Sequence, residues 1–160
     1  MIAEIGLGLS VVAAGLWSGL LLTVTTILHP LYASRDAGGF TADMRRFLPI
    51  ARRSPTNYVL VIALLVAPVL ALVGLWLERG TGVVIALTAA GLAATVAGPL
   101  LISDRLAEPN YAVILGWDPD HPPPDWRIAR ARWMRLNWAR GALTWTAFAL
   151  FLAAAYAHLQ

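Results

Sequence analysis

The sequence contains no cysteine and no lysine, and it is poor in charge of either sign. Without cysteine there is no disulfide, no thiolate nucleophile and no cysteine-ligated metal. Charged residues make up 13% of the chain, against roughly 25% in an average soluble domain. Hydrophobic residues make up 59% of its 160 positions. A soluble domain of this size still exposes about a third of its unfolded surface, so that apolar excess has nowhere to go in water. A lipid solvent removes the difficulty. The motifs of several enzyme classes are also missing: no Gly-rich phosphate loop, no Ser-His-Asp spacing, no His-x-x-x-His pair. The apolar runs carry almost no charge, which argues against a conducting pore or a transporter. No aromatic-rich basic stripe supports nucleic-acid binding, so no nucleic-acid partner is expected. Met1-Ile2-Ala3-Glu4 carries no basic n-region, and the run behind it is too long for a signal-peptide core, so it reads as a retained helix.

What remains is a single all-α domain, a bundle of four transmembrane helices in contact with the lipid bilayer. The expected spans are 5–28, 58–77, 83–103 and 141–159, the last helix starting near residue 126. Gly15 and Gly19 place a small-xxx-small face on the first span, and Ala94-x-x-x-Gly98 places another on the third. Such faces suit close helix contact, within the bundle or in a homo-oligomer. Pro68 falls mid-span in the second helix, where neighbours can satisfy the freed carbonyl. Only Glu78 to Gly82 separate the second and third spans, which must therefore pack as antiparallel neighbours. Two long connections remain, 31–57 and 104–125. The first holds a candidate interfacial helix from Phe40 to Ile50, interrupted by Pro49 and Pro55. His29-Pro30 after span one and Gly98-Pro99 in span three form a faint internal echo, on which nothing is built.

Every cation is an arginine, and all but Arg79 lie in the long connections or the start of the last helix. The positive-inside rule then puts both long connections in the cytoplasm and both termini outside, in what reads as a bacterial inner membrane.

The last helix has the most informative surface. Trp126, Arg130, Trp133, Asn137, Arg140 and Thr144 recur at steps of three or four and share one face. Arg130 reads either as a stem snorkelling to headgroups or as a ligand contact. Asn137 and Arg140 sit deeper, where an outward lipid face would be expensive, so they are expected to point inward at a polar site. His29 stands beside a span at the same end, either capping a helix C-terminus or acting as a general base. Asp104, Glu108, Asp118, Asp120, Asp125 and His121 supply donors for a metal on paper, but acidic loops near prolines are usually solvated, and no metal is expected.

Glu108-Pro109-Asn110, Trp117-Asp118-Pro119, Pro124-Asp125-Trp126, Arg132-Trp133 and Asn137-x-x-Arg140, together with Pro30 past the first span, form a recognisable set. In layout and in these motifs the chain resembles the anthrone oxygenase-like family of four-helix membrane proteins. The resemblance implies oxidation of a phenolic, anthrone-like polycycle to its quinone by dioxygen, with no cofactor. The expected partner is then a hydrophobic aromatic small molecule. Such chemistry needs a base, oxyanion donors and a flat slot that excludes water. The candidates for these roles are His29 as base, Asn110, Asn137 and Arg140 as donors, and Trp133 and Trp117 as walls, with Arg130 at the substrate. The alternative is a non-catalytic membrane protein that binds a hydrophobic molecule or supports a membrane complex, with Asn137 and Arg140 fixing helix register.

Overall fold

The computed structural model describes residues 1–160 and contains helices only. We number them α1 (Ile2–Ala33), α2 (Ala37–Arg53), α3 (Pro55–Leu77), α4 (Gly82–Leu115) and α5 (Trp126–His158). All but α2 are long and apolar enough to cross a membrane, the architecture of an integral membrane protein. Ile62, Val66, Val69 and Val73 form one exposed apolar stripe along α3, the kind of face a bilayer covers.

Packing closes a ring in the order α1, α3, α4, α5 and back to α1, an up-down-up-down bundle. The tightest crossing is between α1 and α3. A Cβ added at Gly6 would lie 2.4 Å from the Ala71 nitrogen, and one at Gly74 would lie 2.4 Å from the Ala3 nitrogen. Only glycine lets two backbones approach that closely. The expected Gly15 and Gly19 face plays a smaller part. Gly15 receives the Phe148 ring of α5, and a Cβ at Gly19 would meet nothing. Gly98 does what its motif implies, since a Cβ there would lie 2.8 Å from that of Leu143 on α5. At the same end as the α1–α3 crossing, the Glu78 carboxylate accepts from the Met1 amine and the Ile2 and Ala3 amides at 3.0–3.4 Å. A negative charge there satisfies orphan donors of α1's first turn and complements its dipole.

Two spans run well past the expected ends. Helix α1 continues through His29-Pro30 by widening into a π turn at Val24–Leu28. Helix α4 does the same over Val96–Ala107 and reaches Leu115. Proline cannot donate to the carbonyl four residues back; a wider turn absorbs that loss without ending the helix, and such turns are frequent at functional sites. The hydroxyls of Thr25 and Thr26 back-bond to the Leu21 and Leu22 carbonyls within the loosened stretch.

Helix α2 is longer than its prolines suggested. Asp36 caps it by accepting from the Gly39 amide at 2.8 Å, it runs unbroken through Pro49, and Pro55 opens α3 instead of interrupting α2. Ser54 caps α3 by accepting from the Asn57 amide, while the Asn57 side chain donates back to Ala51 of α2 at 2.9 Å. Phe40, Met44 and Leu48, at steps of four, bury one face of α2 against Tyr111, Ile114, Trp126 and Trp133. At roughly 1.5–3 kcal/mol for each fully buried apolar side chain, that stripe is what holds α2 across the arginine-rich end of the bundle.

Candidate functional site

Helices α3 and α4 touch mainly in the halves beside their short turn and separate towards the other end, where α4 enters its π turns. The gap is a cavity of about 640 Å³ under the inner edge of α2, within the range of roughly 300–1,000 Å³ usual for small-ligand sites. Its walls are mostly apolar: Leu21, Val24 and Leu28 from α1, Phe47 from α2, Val61 from α3 and Pro99 from α4. Both π turns thus face into it. Tyr58 and Leu100, which also line it, are exposed on the outside of the bundle, so one side opens towards lipid.

Polar residues interrupt these walls in two places: the partly exposed Arg52, Asp104 and Glu108, and a second cluster centred on α5. Trp133, Asn137 and Arg140 reach the cavity from α5, and Ser103 joins them from α4. The α5 stripe points inward as its spacing predicts: Trp126, Trp133, Asn137 and Thr144 are all buried. The Arg140 guanidinium donates through Nη1 to Ser103 Oγ at 3.0 Å and through Nη2 to Asn137 Oδ1. No carboxylate pairs with it. The ion pairs on this side are Arg35–Asp43, Arg52–Glu108 and Arg105–Asp104. Moreover, Arg140 Nε and Asn137 Nδ2 are buried donors without partners. Buried donors are nearly always satisfied in folded proteins, and an unneutralised cation with its own Nε–H open beside the open Asn137 Nδ2 has the chemistry to receive an acceptor oxygen.

The remaining residues singled out from the sequence lie elsewhere. His29 is buried in α1, with its ring edge-on to Trp133 at 4.9 Å and to Trp138 at 6.3 Å between centroids. It is absent from the cavity wall, and its Nε2 has no partner. Asn110 donates from Nδ2 to the Ala129 carbonyl at 3.1 Å, tying α4 to α5 outside the cavity. Trp117 packs on the aromatic cluster beneath α2, and its carbonyl accepts from Arg45. Arg130 neither snorkels freely nor meets the cavity. Its Nη1 donates to the carbonyls of Tyr32, Ala33 and Arg35 at 3.1–3.2 Å, satisfying the orphan acceptors at the end of α1. Its guanidinium also stacks 4.4 Å from the centre of the Trp126 ring.

The acidic residues do not gather. No three His, Asp or Glu side chains converge as a metal site would require. Asp118 pairs with His121 at 3.0 Å on the surface, and that hydrogen bond holds the Asp118 carboxyl below its ordinary range. Sequence reasoning missed two cavity residues, Ser103 and Trp17. Ser103 belonged to the expected end of a span, and Trp17, an apolar-looking residue inside α1, lines the cavity with its Nε1 unpartnered. Compared with protein-family models, with curated proteins and with solved structures, the chain matches none of them.

Proposed function

We propose that this chain is a membrane-embedded oxygenase that oxidises anthrone-like phenolic polycycles with dioxygen and needs no cofactor. One observation carries the reading: a mostly apolar cavity, open towards lipid, holds a single unpaired guanidinium flanked by open donors. The walls suit a flat aromatic body and the donors suit one oxygen on it. The motif resemblance at residues 108–140 supplies the reaction class.

An anthrone has an acidic methylene opposite its carbonyl. Losing that proton to water at the cavity mouth gives an enolate, whose oxygen charge Arg140 and Asn137 Nδ2 stabilise. The electron-rich carbon then attacks dioxygen. A C–O bond forms, the second C–H bond and the O–O bond break, and one water leaves with the quinone. Anthrone plus dioxygen thus gives anthraquinone plus water, with the substrate as reductant. His29 stands behind Trp133, so in this scheme the site acts by raising the substrate's own acidity, and His29 holds the Trp133 wall.

The arginine bias favours α2 and the 116–125 loop on the cytoplasmic side of a bacterial inner membrane. Purified protein in detergent, given 1,8-dihydroxyanthrone, should consume one dioxygen per quinone formed, faster than buffer alone and without added metal. Turnover equal to buffer for a panel of hydroxyanthrones would remove the oxygenase reading. The absence of His29 from the cavity wall favours a second reading, a binding protein for the same kind of molecule, which predicts saturable binding without oxygen uptake.

A further inference from the structure

Three cavity-lining residues carry a buried polar atom without a partner: Trp17 through Nε1, Asn137 through Nδ2 and Arg140 through Nε. All three are donors. An indole N–H cannot accept, a guanidinium cannot accept, and the Asn137 carbonyl oxygen is already engaged by Arg140. Among the buried atoms the unmet hydrogen-bonding demand therefore has a single sign, while the partly exposed Asp104 and Glu108 carboxylates also line the cavity and can accept. An occupant that satisfies these atoms must bring acceptors, as a water oxygen does and as a ligand displacing that water must.

The donors also stand at two depths. Trp145 of α5 donates to the Ser18 carbonyl of α1 at 3.3 Å, which sets those two residues side by side. Arg140 lies five residues from Trp145 towards the arginine-rich end, and Trp17 lies one residue beyond Ser18 in the opposite direction. At about 1.5 Å of rise per residue, the two anchors are offset by roughly 9 Å along the bundle axis. Trp17 is 7% exposed and packs among Ala13, Ala14, Leu21 and Leu64, where nothing else is able to accept from its indole.

We propose that Trp17 is a second anchoring and specificity-determining residue of this site, and that among flat phenolic polycycles the cavity prefers elongated ones that present hydrogen-bond acceptors towards both anchors. The inference rests on the proposed reading of the cavity as a ligand site and adds to it the class of ligand. A molecule with an acceptor at one end only leaves the Trp17 donor unmet. A molecule of the same shape whose ends only donate leaves both sets of buried donors unmet.

The test uses the full chain in lipid nanodiscs and two probes of matched shape, 2,6-dimethoxyanthraquinone (acceptors only) and 2,6-diaminoanthracene (donors). Wild type should bind the first at least ten-fold more tightly than the second, about one to two hydrogen bonds' worth. Trp17→Phe keeps an aromatic ring but removes the N–H together with the fused ring that carries it. Relative to anthracene, which has no acceptor and reports the lost ring volume, it should weaken the quinone about five-fold further, the worth of one neutral hydrogen bond, and the vacated space should lower Tm of the empty protein. A loss in Trp17→Phe no greater for the quinone than for anthracene would overturn the role of Trp17 and leave the cavity reading standing. Equal binding of the two probes to wild type would overturn the acceptor rule even if the variant failed to fold. Binding of neither probe would overturn both this inference and the ligand-site reading beneath it.

Discussion

Replacing Arg140 with methionine separates a ligand site from a structural network. The substitution keeps most of the side-chain volume and removes the guanidinium. Two hydrogen bonds are lost, to Ser103 Oγ and to Asn137 Oδ1. Hydrogen bonds to a charged group contribute about 1.5–3 kcal/mol each when well buried, but Arg140 is only half-buried, so roughly 2–3 kcal/mol for the pair is a reasonable sum. Against this stands the cost of holding an unpaired cation away from water, several kcal/mol for a fully buried ion and about 1–2 here. The net loss should be about 0–2 kcal/mol, read as the free energy of reversible unfolding in mixed detergent micelles. Affinity for a phenolate-bearing hydroxyanthraquinone should fall by far more, about 10- to 150-fold, the worth of one charge-assisted hydrogen bond. A loss of stability above about 3 kcal/mol, the range for breaking a buried ionic network, with affinity unchanged in the protein that still folds, would refute the reasoning. Arg140 would then be a structural strut.

Other consequences follow from particular contacts. Arg130→Ala uncaps α1 and should destabilise the fold by about 1–2 kcal/mol in the same unfolding assay, with affinity for the anthraquinone changed less than two-fold; a loss of binding alone would return Arg130 to the site. Gly19→Ala, whose Cβ meets nothing, should stabilise by roughly 0.5–1 kcal/mol, whereas Gly74→Ala pushes a Cβ to 2.4 Å from the Ala3 nitrogen and should cost about 1–3 kcal/mol or more; equal effects would contradict the α1–α3 crossing. The Glu78 carboxyl is held below its ordinary 4.5, first by its hydrogen bond to the Met1 amine and then by the Ala3 and Ile2 amides. A depressed carboxyl contributes stability above its unfolded value and loses it as pH falls through the lower folded value. Tm should therefore drop below about pH 4.5 in wild type and drop less in Glu78→Gln; parallel curves would remove Glu78 from the α1 cap.

Much of this fold is legible in the sequence because lipid imposes simple demands. Four apolar runs separated by arginine-rich segments leave few alternatives to a helical bundle. The inward face of α5 was legible for the same reason. Asn137 and Arg140 at three-residue spacing, one turn from Trp133, cannot all point at hydrocarbon. What periodicity does not reveal is the partner across the gap. Ser103 and Trp17 reach the cavity from α4 and α1, far away in the chain, and nothing in their neighbourhoods marks them as polar contacts. The closest helix crossing uses Gly6 and Gly74, one glycine per helix opposed to an alanine, where the small-residue spacings Gly6-x-x-x-Ser10 and Ala67-x-x-x-Ala71 stand in the sequence without a second glycine to single them out. The prolines at 30, 99 and 109 look like helix ends, but π turns absorb Pro30 and Pro99 and the widened helix carries on through Pro109. His29 and Arg130 carry the residue types that chemistry favours, and their stations show why type alone is insufficient: one packs against the back of a wall, and the other closes a helix end.

The most direct test of the central claim is to ask where a ligand sits. A photoreactive anthraquinone irradiated with the protein in nanodiscs abstracts hydrogen from the nearest C–H bonds, and peptide mass spectrometry locates the adducts. The account predicts labelling on cavity-facing residues of the two π turns, Val24, Leu28, Pro99 and Leu100, suppressed by excess unlabelled ligand and lost in Arg140→Met. Labelling confined to the lipid-facing stripe of Ile62, Val66, Val69 and Val73, unaffected by competitor or by the substitution, would mean that the cavity is not a ligand site.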